Sequence, residues 1–291
     1  MQPLTPCSCP VCQTPDTWLR YALREKRVFW CRSCHLNFVD PFPDATSLQS
    51  SYDDAVSEFQ QKYFESFQDL RSKSFARGLE TLSRLNRRGN LLDVGPGLGF
   101  FLDEARRKGW QGEGLEFSEK MAEHARRTLQ LPIQVGTLEG VLLKTGQYEV
   151  VTLWDVLEHL PDPKGALLKI HALLLPKGLV VIRTPVCDSL LPWVLNFFYR
   201  ASLGKLRSGF EKLFQEHLFH FSEKGLRELL GRCGFHPIHH YREDYIDPHA
   251  LARKEWAGHP LVRWGAFAVI VTSHWIQRQD EVVIYAEAIR S

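Results

Sequence analysis

At 291 residues, with 44% hydrophobic and 24% charged residues, the chain has the size and composition of one large α/β domain with a small appendage. Its formal net charge of +2, from 36 basic and 34 acidic residues, excludes a molecule-wide field for holding nucleic acid. Met1-Gln2-Pro3-Leu4-Thr5-Pro6 shows no apolar secretory core, and five of the seven cysteines fall between Cys7 and Cys34. That distribution suits a metal site in a reducing compartment better than a disulfide framework, so a cytoplasmic location is expected.

Taken in chain order, residues 1–45 form the first unit. Cys9-Pro10-Val11-Cys12 and Cys31-Arg32-Ser33-Cys34 are two thiolate knuckles with eighteen residues between them. Such spacing brings Cys9, Cys12, Cys31 and Cys34 to one tetrahedral zinc ion, as in a zinc ribbon. Trp18–Tyr21 and Arg27–Trp30 read as the hairpin between the knuckles. Four protein ligands leave no open position, so the zinc is structural and largely folds the segment. Cys7 or His35 could replace a ligand, though neither sits at knuckle spacing.

Residues 46–88 read as a helical lid or linker, marked by Tyr52, Phe59, Tyr63, Phe64, Phe67, Leu70, Phe75, Leu79 and Leu82. Residues 89–291 then alternate strands and helices, the pattern of a doubly wound, mostly parallel sheet with ligands at the strands' carboxyl ends. Leu91–Val94 is its first strand. It runs into Gly95-Pro96-Gly97-Leu98-Gly99 and a helix from Phe100 to Lys108. A loop with glycine at every second position lets a ligand lie against backbone amides at a helix N-terminus. The spacing is not that of a dinucleotide fingerprint, which would need glycine at Phe100, nor of a Walker loop.

Gly112–Glu116 is a second strand, and Ser118 caps the helix running to about Leu129. Glu116 lies seventeen residues beyond Gly99, about where a nucleotide site places an acid on ribose hydroxyls. Ile133–Glu139 is a third strand and turn, Glu149–Asp155 a buried central strand, 164–175 a helix, and Leu179–Thr184 another strand. An insertion at about 186–216 breaks the rhythm. Its run Leu190–Tyr199 is apolar and aromatic, and Arg200, Lys205, Arg207 and Lys212 follow with only Glu211 opposing. It is too short to span a bilayer, and residues 190–213 could cover an acceptor pocket, rest on an anionic membrane surface at the inner face, or be a buried structural insertion. Leu261–Ile276 reads as a buried helix. Ser222 caps a helix ending at Gly234, and strands Phe235–Tyr241 and Val282–Ala288 complete the sheet.

Asp93-Val94-Gly95-Pro96-Gly97-Leu98-Gly99, Gly114-Leu115-Glu116, Asp155-Val156-Leu157-Glu158-His159-Leu160, Glu216–Ser222 and Cys233-Gly234-Phe235 resemble, in order, the motifs of class I S-adenosylmethionine-dependent methyltransferases. More narrowly, the chain resembles the bacterial branch that opens with a zinc ribbon. The resemblance implies a seven-stranded sheet with an antiparallel last strand. It also implies a donor site formed by Asp93, Gly95, Gly97, Gly99, Glu116, Phe117, Leu138 and Trp154.

Methyl transfer to a hydroxyl needs a base, and His159 and His217 are the candidates. Asp155, Glu158, His159 and His217 are also similar to the Glu-x-x-Glu-His plus distant histidine of metal-assisted O-methyltransferases, where Mg2+ or Mn2+ would polarise the acceptor oxygen. Asp155 is a shorter arm than that pattern's first glutamate. The reading is an enzyme acting on a small-molecule, glycan or lipid-linked intermediate, at oxygen, with no nucleic-acid partner. Its competitors are an RNA methyltransferase docking RNA on the ribbon, and a non-catalytic scaffold or membrane-surface partner.

Overall fold

The computed structural model of the chain describes residues 8–23, 26–42, 71–201, 217–244 and 260–289. The expectations attached to Cys7, to Tyr52 through Leu70, and to residues 202–216 lie outside the described residues. The strands are β1 (Thr17–Ala22), β2 (Arg27–Cys31), β3 (Asn37–Asp40), β4 (Asn90–Val94), β5 (Gln111–Glu116), β6 (Ile133–Val135), β7 (Tyr148–Trp154), β8 (Leu174–Pro185), β9 (Phe219–His220), β10 (Phe235–Glu243) and β11 (Glu281–Ala288). The helices are α1 (71–84), α2 (Phe100–Arg107), α3 (Glu119–Leu129), α4 (Pro163–Leu173), α5 (Leu190–Ala201), α6 (Glu223–Arg232) and α7 (Pro260–Trp275).

Seven strands form the main sheet in the order β10-β11-β8-β7-β4-β5-β6, with β11 antiparallel to both neighbours. Its central strands are apolar on both faces, as a parallel sheet covered by helices requires. Val150, Val151, Leu153, Leu179, Val180 and Ile182 are each 0% exposed. Local chemistry sets the helix starts. Ser118 and Ser222 each accept an amide N–H of the first turn, and Asp162 accepts that of Gly165 ahead of Pro163.

The ribbon is knitted into the domain rather than appended to it. β1-β2-β3 is an antiparallel meander, and its free edge is taken by β9 from the far half of the chain. Val39 N–H donates to Leu218 O (3.0 Å), and Leu218 N–H donates to Glu158 O (3.0 Å). The ribbon, β9 and the turn after β7 therefore form one hydrogen-bonded chain.

Two elements differ from the sequence reading. β8 begins at Leu174 rather than Leu179, with Tyr148 paired to Leu174 across an irregularity, so Pro176-Lys177-Gly178 lies within the strand. Lys177 takes a positive φ there. The second difference is α7, read as buried. Among its described side chains only Ile270 and Ser273 are buried, while Trp275 is 86% exposed. Among the described residues, no helix is long and apolar enough to cross a membrane.

Candidate active site

The loop after β4 sits where the sheet reverses its strand order, with β5 on one side and β7 on the other. Gly95, Gly97 and Gly99 all have positive φ, at 69°, 56° and 86°. Their surroundings divide the work. A Cβ on Gly95 would stand 2.6 Å from Val156, and one on Gly99 would stand 2.4 Å from Leu131, whereas one on Gly97 would meet nothing closer than Met121 Sδ at 3.9 Å. Gly95 and Gly99 are needed for packing; Gly97 leaves the loop's backbone open to a ligand. Gly99→Ala is expected to lower stability by about 1–3 kcal/mol through crowding. Gly97→Ala is expected to lower it by about 1–2 kcal/mol, from the left-handed backbone alone, while S-adenosylmethionine affinity falls at least about tenfold. Thermal melts and calorimetry on both variants separate the two effects.

Glu116 closes this crevice. Its Oε2 accepts the Gly97 N–H (2.8 Å) and its Oε1 accepts the Ser118 N–H (2.9 Å). Burial pushes its carboxyl above the usual range, with those amide bonds opposing the shift. Asp93 lies deeper, 1% exposed, and Thr152 Oγ1 donates to it at 2.7 Å. Its pKa is pushed up to about 8, first by burial. The folded state then holds a proton that the unfolded chain loses near pH 4, so stability falls as pH rises from about 4 to about 8. Asp93→Asn keeps the acceptor for Thr152. It is expected to gain on the parent by on the order of 2 kcal/mol across that window, read from melting curves of the ligand-free protein.

Other residues assigned to the donor site are placed differently. Phe117 is half-buried beside Glu116. Leu138 is 3% exposed and belongs to the core containing Val141 and Leu115. Trp154 lies between Phe101 and Phe75, with ring centroids 4.9 and 5.2 Å away. It packs α1 and α2 onto the sheet. The Leu138 and Trp154 side chains both pack within core clusters.

Val156, whose methyl touches Gly95, leads into a single 3-10 turn over Leu157–His159. That turn and the segment before β9 bring the His159 and His217 rings to 4.8 Å, edge to face, and His220 to 5.5 Å from His217. Burial and then the neighbouring His159 push His217 down to about 3, so it is neutral at any working pH. Glu158 is fully buried and takes Thr184 Oγ1–H at 2.9 Å, while its Oε1 has no partner. One donor atom from each of Glu158, His159 and His217 lies within 4.8 Å of the others.

Asp155 does not join them. It adopts a left-handed φ of 58° and turns to Arg183 (2.7 Å) and Arg71 (3.3 Å), so the four-ligand set reduces to three. Arg183 is the residue that sequence reasoning missed. It is 1% exposed and also pairs with Glu243 (2.7 Å) and Glu281. Burial raises the Glu281 carboxyl well above the usual range, with the Arg183 guanidinium opposing the shift. The available signal was a lone arginine inside Leu179–Thr184, since a buried cation requires partners.

In the ribbon, Cys9 and Cys34 Sγ are 3.6 Å apart, Cys12 and Cys31 Sγ are 3.5 Å apart, and all four lie within 4.8 Å of one another. Four thiolates at about 2.3 Å from one zinc ion would stand about 3.8 Å apart, so the cluster fits that ion. Hydrogen bonding to Cys34 lowers the Cys9 thiol, the direction that favours a metal-ligating thiolate. His35 lies outside the cluster, its Nε2 3.3 Å from Lys224 Nζ.

A family model described as a methyltransferase domain matches residues 67–240, more than half of the chain. The chain belongs to the S-adenosylmethionine-dependent methyltransferases. It is 34% identical over 100 residues to the ubiquinone biosynthesis O-methyltransferase of Aeromonas salmonicida (strain A449), covering 32% of this chain and 42% of that protein. The namesake from Caulobacter sp. (strain K31) is 32% identical over 120 residues, covering 36% of this chain and 48% of that one. The chain thus spans less than half the length of the curated relatives it matches. Among solved structures it resembles the methyltransferase complexed with the Haloferax volcanii Trm112 methyltransferase activator (TM-score 0.60, 17% identity, 84% of this chain and 98% of that one). A Thermotoga maritima S-adenosylmethionine-dependent methyltransferase also matches (TM-score 0.54, 18% identity, 83% and 100%). These two likenesses establish the fold.

Proposed function

We propose that this methyltransferase alkylates a hydroxyl oxygen of a small-molecule, glycan or lipid-linked intermediate, with His159 taking the proton. The observation that carries this is the contact of Val156 with Gly95, which sets the histidine turn directly against the donor loop. The O-methyltransferase names of the relatives support oxygen as the acceptor atom. The donor loop would hold the adenosyl group over Gly97, with Glu116 on the ribose hydroxyls. When bound, S-adenosylmethionine supplies an activated methyl carbon. His159 would take the acceptor hydroxyl's proton at Nδ1 or Nε2 as that oxygen accepts the methyl group, with S-adenosylhomocysteine as the departing product. Neutral His217 and the ribbon-held β9 fix the geometry around it.

A divalent ion is the second reading, favoured by the buried, unpartnered Oε1 of Glu158 beside two imidazoles. Two nitrogens and one carboxylate suit manganese better than magnesium. Release of S-adenosylhomocysteine from a panel of hydroxylated acceptors tests the first reading, and turnover on none of them would defeat it. Manganese added to protein that retains only its ribbon zinc tests the second; unchanged turnover rejects it. For the insertion, the described part of 190–213 borders a cleft with the ribbon, which supports an acceptor-side role. Flotation with anionic vesicles would reveal the membrane contact instead.

A further inference from the structure

A second concavity, of about 1120 Å³, lies between the ribbon sheet and the start of α5, and no step above uses it. That volume exceeds the ~300–1,000 Å³ of ordinary small-ligand sites. One wall is the ribbon, where Trp18 and Trp30 are cross-strand partners and Arg20 follows Trp18 on the same face. The Arg32 guanidinium stands 5.3 Å from the Trp18 ring centre. The other wall carries Trp193, 65% exposed, with Arg278 and Lys224 at the rim. Among the described lining residues the one carboxylate, Asp188, is already paired with Arg242 at 3.1 Å. Indoles on both walls and four cations thus meet around a single acid that is already neutralised.

We infer that this cleft binds a nucleoside diphosphate, as the carrier end of the methyl acceptor. A base offers a flat face to the indoles, and a diphosphate offers oxygens in the geometry that guanidinium groups take in pairs. The excess of cations rejects amine and quaternary ammonium ligands, for which an aromatic cage would need acids or a neutral wall. The near-balanced charge of the whole chain disfavours a long nucleic-acid strand, so the positive character is a property of this cleft.

The cleft is joined to the histidines through one residue. Asn37, in its lining, accepts Arg20 Nη1–H at 2.7 Å and donates to His220 O at 3.5 Å, and His220 neighbours His217. The inference rests on the methyl-transfer reading above, because it supplies that reaction with a substrate class.

The test is quenching of tryptophan fluorescence by UDP, dTDP, GDP, CDP and ADP on the full zinc-loaded chain. It is run with S-adenosylhomocysteine saturating, so that the donor site is closed to nucleotides. At least one diphosphate is expected to bind saturably, with inorganic pyrophosphate at least about tenfold weaker. Arg20→Gln and Trp193→Leu, one change on each wall, are each expected to weaken that binding at least about tenfold while S-adenosylhomocysteine affinity and the melting temperature hold. Failure of every nucleotide below millimolar, in protein that still binds S-adenosylhomocysteine, overturns the inference alone. So does tight binding of farnesyl diphosphate or single-stranded RNA in place of the nucleotides, or nucleotide binding that ignores both variants. Protein that binds neither nucleotide nor S-adenosylhomocysteine overturns the donor reading instead.

Discussion

Arg183→Leu is expected to lower the free energy of unfolding by about 3–5 kcal/mol, the usual cost of removing one partner from a buried ion network. The side chain is almost fully buried on β8 and its guanidinium meets Asp155, just past β7, with Glu243 on β10 and Glu281 on β11. Leucine would fill part of the space but leave Asp155 with Arg71 and take from Glu243 its guanidinium partner, and Asp155 already sits in a strained left-handed conformation. α1 should loosen with it. Ser74 donates to Glu243 at 2.5 Å, and Phe75 packs on Trp154 from the same helix. Denaturant unfolding gives the stability change, and hydrogen exchange over 71–84 reports the helix. A change under about 1 kcal/mol would mean the acids find water or each other, and the network would not be what ties α1 to the sheet.

His159→Asn is expected to reduce turnover by about 10²–10⁴-fold, the range for removing a positioned base. S-adenosylmethionine affinity should be unchanged, because Gly97 and Glu116, rather than this ring, would hold the donor. Burial pushes the His217 ring well below the usual histidine range. A pKa near 3 leaves it little appetite for a hydroxyl proton, so His217→Asn should act mainly by disturbing the packing against His159. The split is diagnostic: loss in kcat with intact donor binding for His159, and a smaller loss for His217. Equal losses would favour shared ligation of a metal, since either ligand's removal empties the site.

Much of the donor crevice was legible because its information is local. The alternation of Gly95, Gly97 and Gly99 after an apolar strand, the cap at Ser118 and the acid ending β5 are all patterns within a few residues of each other. The four ribbon cysteines were legible for the same reason, since knuckle spacing is a local constraint. What escaped was set by distant partners. Arg183 finds Glu281 and Glu243 only because β11 and β10 fold back beside β8. β9 is two residues long and has no periodicity to read, yet its pairing with β3 joins the ribbon to the histidines. Asp155 was grouped with Glu158 by its spacing, and a left-handed backbone turned it to Arg183 and Arg71. Trp154 and Leu138 were assigned to the donor site through the family resemblance, and packing against Phe75 and Phe101 or within the core of Val141 and Leu115 is a long-range feature no local pattern shows.

The donor crevice is tested most directly by a crystal structure with S-adenosylhomocysteine bound. The adenosyl group is expected along Gly95–Gly99, with Glu116 accepting ribose hydroxyls and the sulfur facing His159 and His217. A ligand bound elsewhere, or one whose sulfur points away from the 3-10 turn while Glu116 stays on the Gly97 amide, would contradict it.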